Sequence, residues 1–101
     1  MLLHIGSDVS VPLERLLFIV NERGMTPRTR AYIERAKKER RYRRCGQDEP
    51  KSYVVCLERG REIVQGTGIA SATLEKRWKQ AIAHQALGEA AALIVEGTER
   101  N

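Results

Sequence analysis

The segment YVVCLERGREIV, residues 53–64, decides the fold that we predict for this chain. Its first five residues, 53–57, are apolar at odd and even positions alike, as in a strand whose two faces are both covered. Arg59 and Gly60 then supply the chemistry of a tight turn, and Ile63 and Val64 continue beyond it. The pattern predicts a β-hairpin, the clearest one in the sequence.

Shorter strands are predicted on either side of this hairpin. Residues 2–5 and 9–12 have the composition and alternation of short strands. Residues 16–20 are apolar at both parities, which predicts a central strand covered on both faces. Residues 41–46 are predicted to form a short edge strand, in which three arginines discourage edge-to-edge association.

Two helices complete the predicted elements. Thr26 can accept from free backbone N–H groups and Pro27 suits a first helical position, so a helix is predicted to start there, with a narrow apolar stripe and a basic outer face. A second helix is predicted to start near Ser71, and Gly88 interrupts its pattern. One of its faces comprises Leu74, Trp78, Ala81, Ile82 and Gln85.

The predicted fold class is α+β, with a small mixed or antiparallel sheet of about five to six short strands and two helices, the second extended at its C-terminus. At 101 residues the chain is long enough for one packed core. We predict a domain over residues 1–78 and, over residues 79–101, a helical extension with a disordered end. Residues 89–95 are apolar nearly all round, and either fold back on the same subunit or contact a partner chain.

Positive charge is concentrated in one segment. Residues 28–44 hold nine Lys and Arg against Glu34 and Glu39, a charge of +7, whereas the rest of the chain totals −2. Glu34 lies four residues from both Arg30 and Lys38, and i,i+4 ion pairs with them are predicted. Because one acid does not neutralise its neighbours, the segment favours a surface that binds polyanions over a solvated helix face.

Several other classes of protein do not fit the sequence. The longest apolar run in residues 1–20 is residues 16–20, so we expect no secretory signal, no membrane partner and a cytoplasmic location. Cys45 and Cys56 lie eleven positions apart without a CxxC motif and are expected to be reduced structural thiols, with no metal bound. Gly66-Thr67-Gly68 is predicted to be a turn into the second helix, too short for a phosphate-binding fingerprint.

No catalytic motif assembles in the sequence, which lacks a Walker loop, a GxSxG elbow and an HExxH pair. We therefore predict no enzyme activity, no cofactor and no small-molecule substrate. A reactive thiol at Cys45, with its pKa lowered by the neighbouring Arg44, is the one remaining route to chemistry.

Five short motifs carry a family resemblance. Read together, they resemble the extracellular-matrix regulatory protein family of RemA and RemB, and RemB more closely, over residues 1 to about 78. No motif is diagnostic alone, and their order and compatible spacing carry the resemblance. In chain order the motifs are His4-Ile5-Gly6, Val11-Pro12-Leu13, Thr26-Pro27-Arg28-Thr29-Arg30, Pro50-Lys51-Ser52-Tyr53-Val54-Val55 and Ser71-Ala72-Thr73-Leu74-Glu75-Lys76-Arg77.

This resemblance implies a bacterial DNA-binding regulator, linked to biofilm and extracellular-matrix regulation, that assembles as a ring-shaped homo-oligomer. DNA would lie along a basic surface of the ring. Arg15 and Pro27 match family positions tied to function, Arg15 as a DNA or interface contact and Pro27 as the start of a helix. Lys51 falls in the family's basic loop.

The sequence departs from the family at that loop. Members of the RemA type resemble one another in an arginine pair, where this chain has Asp48-Glu49-Pro50. Arg43 and Arg44, a few residues earlier, are the candidates to supply the missing charge.

We predict a DNA-binding transcriptional or architectural regulator, in which homo-oligomerisation repeats a basic surface that binds duplex phosphates. The alternative is an oligomeric module for RNA or an acidic protein. Single-strand stacking is disfavoured because Phe18 is predicted to be buried, Trp78 lies on a core stripe and only Tyr42 lies among arginines.

The predicted nucleic-acid-binding residues are Arg15, Arg28, Arg30, Lys37, Lys38, Arg41, Arg43, Arg44 and Lys51, and the predicted oligomer-interface residues are Trp78, Ile82, Leu93 and Ile94.

Overall fold

A computed structural model describes the backbone of residues 1–97 and the side chains of residues 1–86. The predicted α+β class is confirmed, with six short strands and two helices in this described part of the chain. In chain order the elements are β1 (Leu2–Gly6), β2 (Val9–Pro12), a 3₁₀ turn (Leu13–Arg15), β3 (Leu16–Asn21), α1 (Pro27–Lys38), β4 (Tyr42–Cys45), β5 (Ser52–Glu58), β6 (Arg61–Thr67) and α2 (Ser71–Gly97).

The hairpin of β5 and β6 forms the centre of the main sheet. The strand order of that sheet is β3-β5-β6-β4, and β1 and β2 form a separate antiparallel pair. β5 is antiparallel to both of its neighbours, whereas β4 runs parallel to β6. At the turn, Arg59 has a φ of 51° and Gly60 a φ of 78°, the two left-handed residues that a type I′ turn requires.

The inner strands are buried on both faces because the chain covers the sheet from both sides. On one face Tyr53, Val55 and Val64 pack against Ile33 and Ala36 of α1. The opposite face packs against the β1–β2 pair and the start of α2. The buried residues of this second cluster are Leu3, Ile5, Val11, Leu16, Cys45, Val54, Cys56, Ile63 and Leu74.

Helix α1 begins where the sequence predicts. The backbone N–H of Thr29 donates to the Thr26 hydroxyl at 3.1 Å, and Pro27 occupies the first helical position. The helix ends at Lys38, and Arg40 follows in a left-handed conformation with a φ of 61°. The N–H of Arg41 then donates to the carbonyl of Ala36 at 2.7 Å. This turn redirects the chain from α1 into β4.

Two predictions about the strands are wrong. Residues 16–20 belong to β3, which is an edge strand and not a central one, and Phe18 is 42% exposed where burial was expected. Residues 16–20 are apolar throughout because β3 packs on both faces of the sheet. Leu16 packs on the β1–β2 side, and Phe18 contacts the Tyr32 ring on the α1 side. The second wrong prediction is the turn at Gly66-Thr67-Gly68. Gly66 and Thr67 lie within β6, because that strand pairs with both β5 and β4 as far as Thr67.

Helix α2 continues through Gly88 to Gly97, so Gly88 does not end it. Leu74 is fully buried and Trp78 packs on the core, whereas Ile82 is 49% exposed. The end predicted to be disordered comprises residues 97–101, of which Gly97 instead belongs to α2. Residues 98–101 and the side chains of Leu93 and Ile94 lie outside the described part. Within residues 1–97, no helix is both long and apolar enough to cross a membrane.

The packing of α2 predicts a large effect at its first turns. Leu74→Ala removes a fully buried side chain that joins α2 to the sheet, and we expect it to lower the free energy of unfolding by about 2–5 kcal/mol. Leu2→Ala is the same chemical change at a side chain that is 62% exposed, and is expected to cost about 0.5 kcal/mol or less. Urea denaturation measures both, and equal losses would contradict the assigned packing.

Candidate nucleic-acid interface

The basic residues of the segment 28–44 lie on different sides of the main sheet. Those of α1 project from the face of the helix that points away from the sheet, where Arg28, Arg35 and Lys38 are exposed. A second group lines a depression whose floor includes Ile63, a residue that faces away from α1. The segment 28–44 therefore does not form one continuous surface.

The second group, which we call the arginine cluster, is assembled from four separate parts of the chain. Its members are Arg15 from the 3₁₀ turn, Arg40 from the turn after α1, Arg43 from β4, and Arg59 and Arg61 from the hairpin turn. Glu58, at the end of β5, lines the same depression, which has a volume of about 490 Å³. These five arginines and one glutamate carry a net charge of +4.

Sheet topology explains why these arginines meet. Leu16 at the start of β3 pairs with Cys56 near the end of β5, which brings Arg15 to that end of the sheet. The N–H of Val64 donates to the carbonyl of Arg41 at 2.8 Å, which places the start of β4 beside the middle of β6, three residues beyond Arg61. The start of β3, the start of β4 and the type I′ turn between β5 and β6 thus bring their arginines toward the same end of the sheet.

Arg43 and Glu58 form a two-point ion pair within the cluster. Both guanidinium Nη atoms of Arg43 donate to the two carboxylate oxygens of Glu58, each at 2.8 Å. The hydrogen bonds from Arg43 hold the pKa of Glu58 below its ordinary value, and the positive charges of Arg59 and Arg15 act in the same direction. Glu58 is thus ionised at neutral pH and lies in a strongly positive field.

The arginine cluster has the chemistry of a phosphate-binding surface. A guanidinium presents its donors in a planar fork that matches two oxygens of a carboxylate or a phosphate. Arg15, Arg40, Arg59 and Arg61 are exposed, and the side chain of Arg43 retains 55% of its accessible surface. These donors are therefore accessible to a bound anion.

Two of the predicted contact residues on α1 form ion pairs with acids of the same chain. Arg30 donates to Glu22 at 2.7 Å, and Lys37 donates to Glu34 at 3.4 Å. The predicted i,i+4 pairs of Glu34 with Arg30 and Lys38 are wrong, since Glu34 pairs with Lys37 one turn away. Arg30 instead reaches Glu22, because the end of β3 lies beside the first turns of α1.

Arg41 and Arg44, also predicted contacts, take part in structural interactions. The Arg41 side chain is only 11% exposed and donates to the Glu39 carboxylate and to the Glu62 carbonyl, each at 2.8 Å. Arg44 holds the loop that follows β4, through the carbonyls of Gln47 at 3.1 Å and Asp48 at 3.0 Å.

Lys51 lies away from the arginine cluster. It is exposed just before β5, and it lines a different depression with Arg23 and the first residues of α2. The loop of residues 48–50 therefore does not add charge to the cluster. Of the nine predicted contact residues, the structure brings only Arg15 and Arg43 together in it.

The predicted interface residues that the structure describes lie on α2. Trp78 lines a groove of about 370 Å³ between α2 and β3, together with Phe18 and Ile19. Ile82 follows one turn later on the same face of the helix and is half exposed. Trp78 thus lies beside the β3 edge, and Ile82 adds exposed apolar surface further along the helix.

The cysteines do not form a reactive site. Cys45 and Cys56 are buried free thiols, and the amide of Gln65 links them, with sulfur contacts of 3.5 Å and 3.6 Å. Burial raises the pKa of the Cys45 thiol, which is contrary to the alternative of a thiol activated by Arg44. Within the described residues, no group of His, Cys, Asp and Glu is arranged to hold a metal ion.

Sequence reasoning missed three members of the cluster, Arg40, Arg59 and Arg61. The last two flank Gly60 in the motif Arg59-Gly60-Arg61, and a tight turn with an arginine on either side is a visible signal of charge at a hairpin end. That they join Arg15 depends on strand order, which the sequence pattern does not reveal.

Comparison with known proteins identifies no relative of this chain. No protein-family model, no curated protein and no solved structure matches it. The resemblance of its motifs to the RemA and RemB family therefore stays a prediction, and the functional argument depends on the geometry of the arginine cluster.

The Glu22 contacts predict a specific dependence of stability on pH. Hydrogen bonds from Arg30 and from the Tyr53 hydroxyl lower the pKa of Glu22 from its ordinary value of 4.5. A lowered pKa in the folded state contributes stability above the unfolded-state pKa, and this stability is lost as pH falls through the folded-state pKa. We expect the unfolding free energy of Glu22→Gln to fall less than that of the parent over this acid range.

Denaturant titrations at a series of pH values measure this effect. Tyr53→Phe removes one of the two hydrogen bonds, and its pH dependence is expected to be intermediate between those of the parent and Glu22→Gln. If Glu22→Gln and the parent have the same pH dependence, the ion pair of Glu22 with Arg30 does not form in solution.

Proposed function

We propose that this protein is a DNA-binding transcriptional or architectural regulator that binds duplex phosphates through the arginine cluster and repeats that surface by homo-oligomerisation. The observation that carries the proposal is the convergence of five arginines with a single acid at one end of the sheet. A surface with that excess of one charge favours polyanions, and its guanidinium donors suit phosphate oxygens.

Phosphate contacts supply most of the affinity in this proposal. Each phosphate that the protein neutralises releases condensed counterions, and duplex affinity then falls with salt by a slope of about 0.9 per contact. One cluster of this size contacts only a few phosphates. A single subunit is therefore expected to bind duplex DNA weakly at physiological salt.

Oligomerisation is the part of the proposal that turns weak contacts into stable binding. When subunits are joined, each further cluster binds from a high effective concentration, so affinity grows without new kinds of contact. The ring-shaped assembly is an expectation from the resemblance to RemA and RemB. Its support in this chain is the exposed apolar surface at Phe18 and Ile82, beside a helix that extends to Gly97.

Duplex DNA is favoured over single-stranded nucleic acid because the cluster has no interleaved aromatic side chain. Phe18 is exposed, but it contacts Tyr32 on the α1 side of the sheet, away from Arg43 and Glu58. Tyr42 is half-buried, with the Lys37 ammonium 5.0 Å from its ring centroid. Stacking platforms for unpaired bases need open aromatic faces among the cations.

Charge removal at the cluster tests the proposed DNA surface. We expect Arg15→Gln combined with Arg59→Gln to weaken binding to duplexes of any sequence, and to reduce the salt slope by about 0.9 for each lost phosphate contact. Fluorescence anisotropy with a labelled duplex over a salt series measures both quantities. Unlabelled RNA of the same sequence serves as a competitor, and stronger competition by RNA than by DNA would favour the RNA alternative.

Arg28→Gln combined with Lys38→Gln is the matched control, because it removes the same charge from the outer face of α1. This variant is expected to retain most of the affinity and the slope of the parent. If it loses more affinity than the cluster variant, the DNA surface is on α1 and not at the arginine cluster. A parent that does not bind duplex DNA even at low salt would contradict the proposed function.

The assembly has its own test in the mass of the protein in solution. We expect the parent to be a homo-oligomer by sedimentation or light scattering, and Ile82→Asp to shift it toward smaller species, because a charge replaces half-exposed apolar surface. Gln80→Asp adds the same charge on the opposite side of α2 and is expected to leave the mass unchanged. A monomeric parent would contradict the proposed repetition of the surface.

A further inference from the structure

Six charged side chains line the depression of the arginine cluster, and Glu58 is the only acid among them. Its two carboxylate oxygens accept from both Nη atoms of Arg43 at 2.8 Å, which is the arrangement in which a guanidinium binds two phosphate oxygens. Arg15 and Arg59 are close enough to stabilise its negative charge. The carboxylate therefore lies where an anion bound by the cluster has its best contacts.

The fold does not depend on this ion pair. Both side chains keep contact with solvent, with 55% of Arg43 and 35% of Glu58 exposed. The β5–β6 hairpin is paired along its whole length down to Glu58 and Arg61, and β4 has its own backbone pairing with β6 from Tyr42 to Cys45. Arg43 and Glu58 are thus free to separate while the sheet stays intact.

We propose that Glu58 is a built-in competitor for phosphate, whose carboxylate occupies the anion position of the arginine cluster until a DNA phosphate displaces it from Arg43. This inference depends on the proposed function and adds the residue that sets the strength of that binding. Displacement breaks one ion pair and forms another, so the net gain at Arg43 is small. Glu58 thereby lowers the affinity of each cluster, and tight binding requires several clusters to engage the same duplex.

Removing the charge of Glu58 without changing its size tests the proposal. We expect Glu58→Gln to tighten duplex binding about three- to fivefold, since an exposed ion pair contributes up to about 1 kcal/mol and 1.4 kcal/mol is a factor of ten. Glu34→Gln is the control, because it removes an acid that is 55% exposed, against 35% for Glu58, and that pairs with Lys37 on the far side of the sheet. The change in duplex affinity caused by Glu34→Gln measures only the effect of making the net charge of the protein more positive by one unit.

The measurement is duplex anisotropy over a salt series for the parent and both variants, with thermal melting to confirm that each is folded. A larger gain for Glu58→Gln than for Glu34→Gln supports the competitor role. Equal gains, or weaker binding of Glu58→Gln, would overturn it, the latter because Glu58 would then be positioning Arg43 for the phosphate.

The experiments distinguish a failure of the role of Glu58 from a failure of the proposed function. If the parent binds duplex DNA and loses that binding in Arg15→Gln with Arg59→Gln, the DNA surface stands whatever Glu58→Gln does. If none of these proteins binds duplex DNA, the proposed function and the role of Glu58 are both contradicted.

Discussion

Burial of β5 on both faces is the constraint on which the rest of the structure depends. Val54 and Val55 are consecutive residues with no exposed surface, and consecutive side chains of a strand point to opposite faces. The chain must therefore cover the sheet twice, with α1 on one side and with the β1–β2 pair and α2 on the other. Once β5 is fixed between β3 and β6, the ends of those strands determine which charged side chains meet.

Local features of the fold could be predicted from the sequence because their signals are local. The turn at Arg59 and Gly60, the cap at Thr26 and the edge position of β4 each depend on a few neighbouring residues. Strand order could not be predicted in the same way. A strand that is apolar at both parities is either central, or at an edge with each face partly covered, and β3 is of the second kind. Gly88 was also a weak signal, since one glycine costs a helix only about 1 kcal/mol.

The candidate site was only partly predictable, because the sequence shows how charge is distributed along the chain, whereas the cluster is formed by residues that are distant in the chain. Residues 28–44 hold a charge of +7, yet helical periodicity turns most of α1's cations to one side and leaves only Arg40 and Arg43 for the other. Arg41 belongs to the same run but is directed inward, where its guanidinium satisfies the Glu62 carbonyl. Arg15 was identified through the family resemblance, whereas nothing in the sequence pattern connects it with Arg59 or Arg61.

Crowding of like charges at one end of the sheet links stability to binding. Five arginines around one depression repel one another, and Glu58 offsets only one of their charges. The remaining charge favours an anion from solution, so part of the electrostatic free energy that opposes folding would be recovered in the proposed complex with phosphate. If the subunits assemble as proposed, each needs only a modest excess of charge, because repetition of the cluster would multiply the contacts along a duplex. The proposed array of weak clusters would also release DNA readily as salt rises, since every additional phosphate contact steepens the salt dependence.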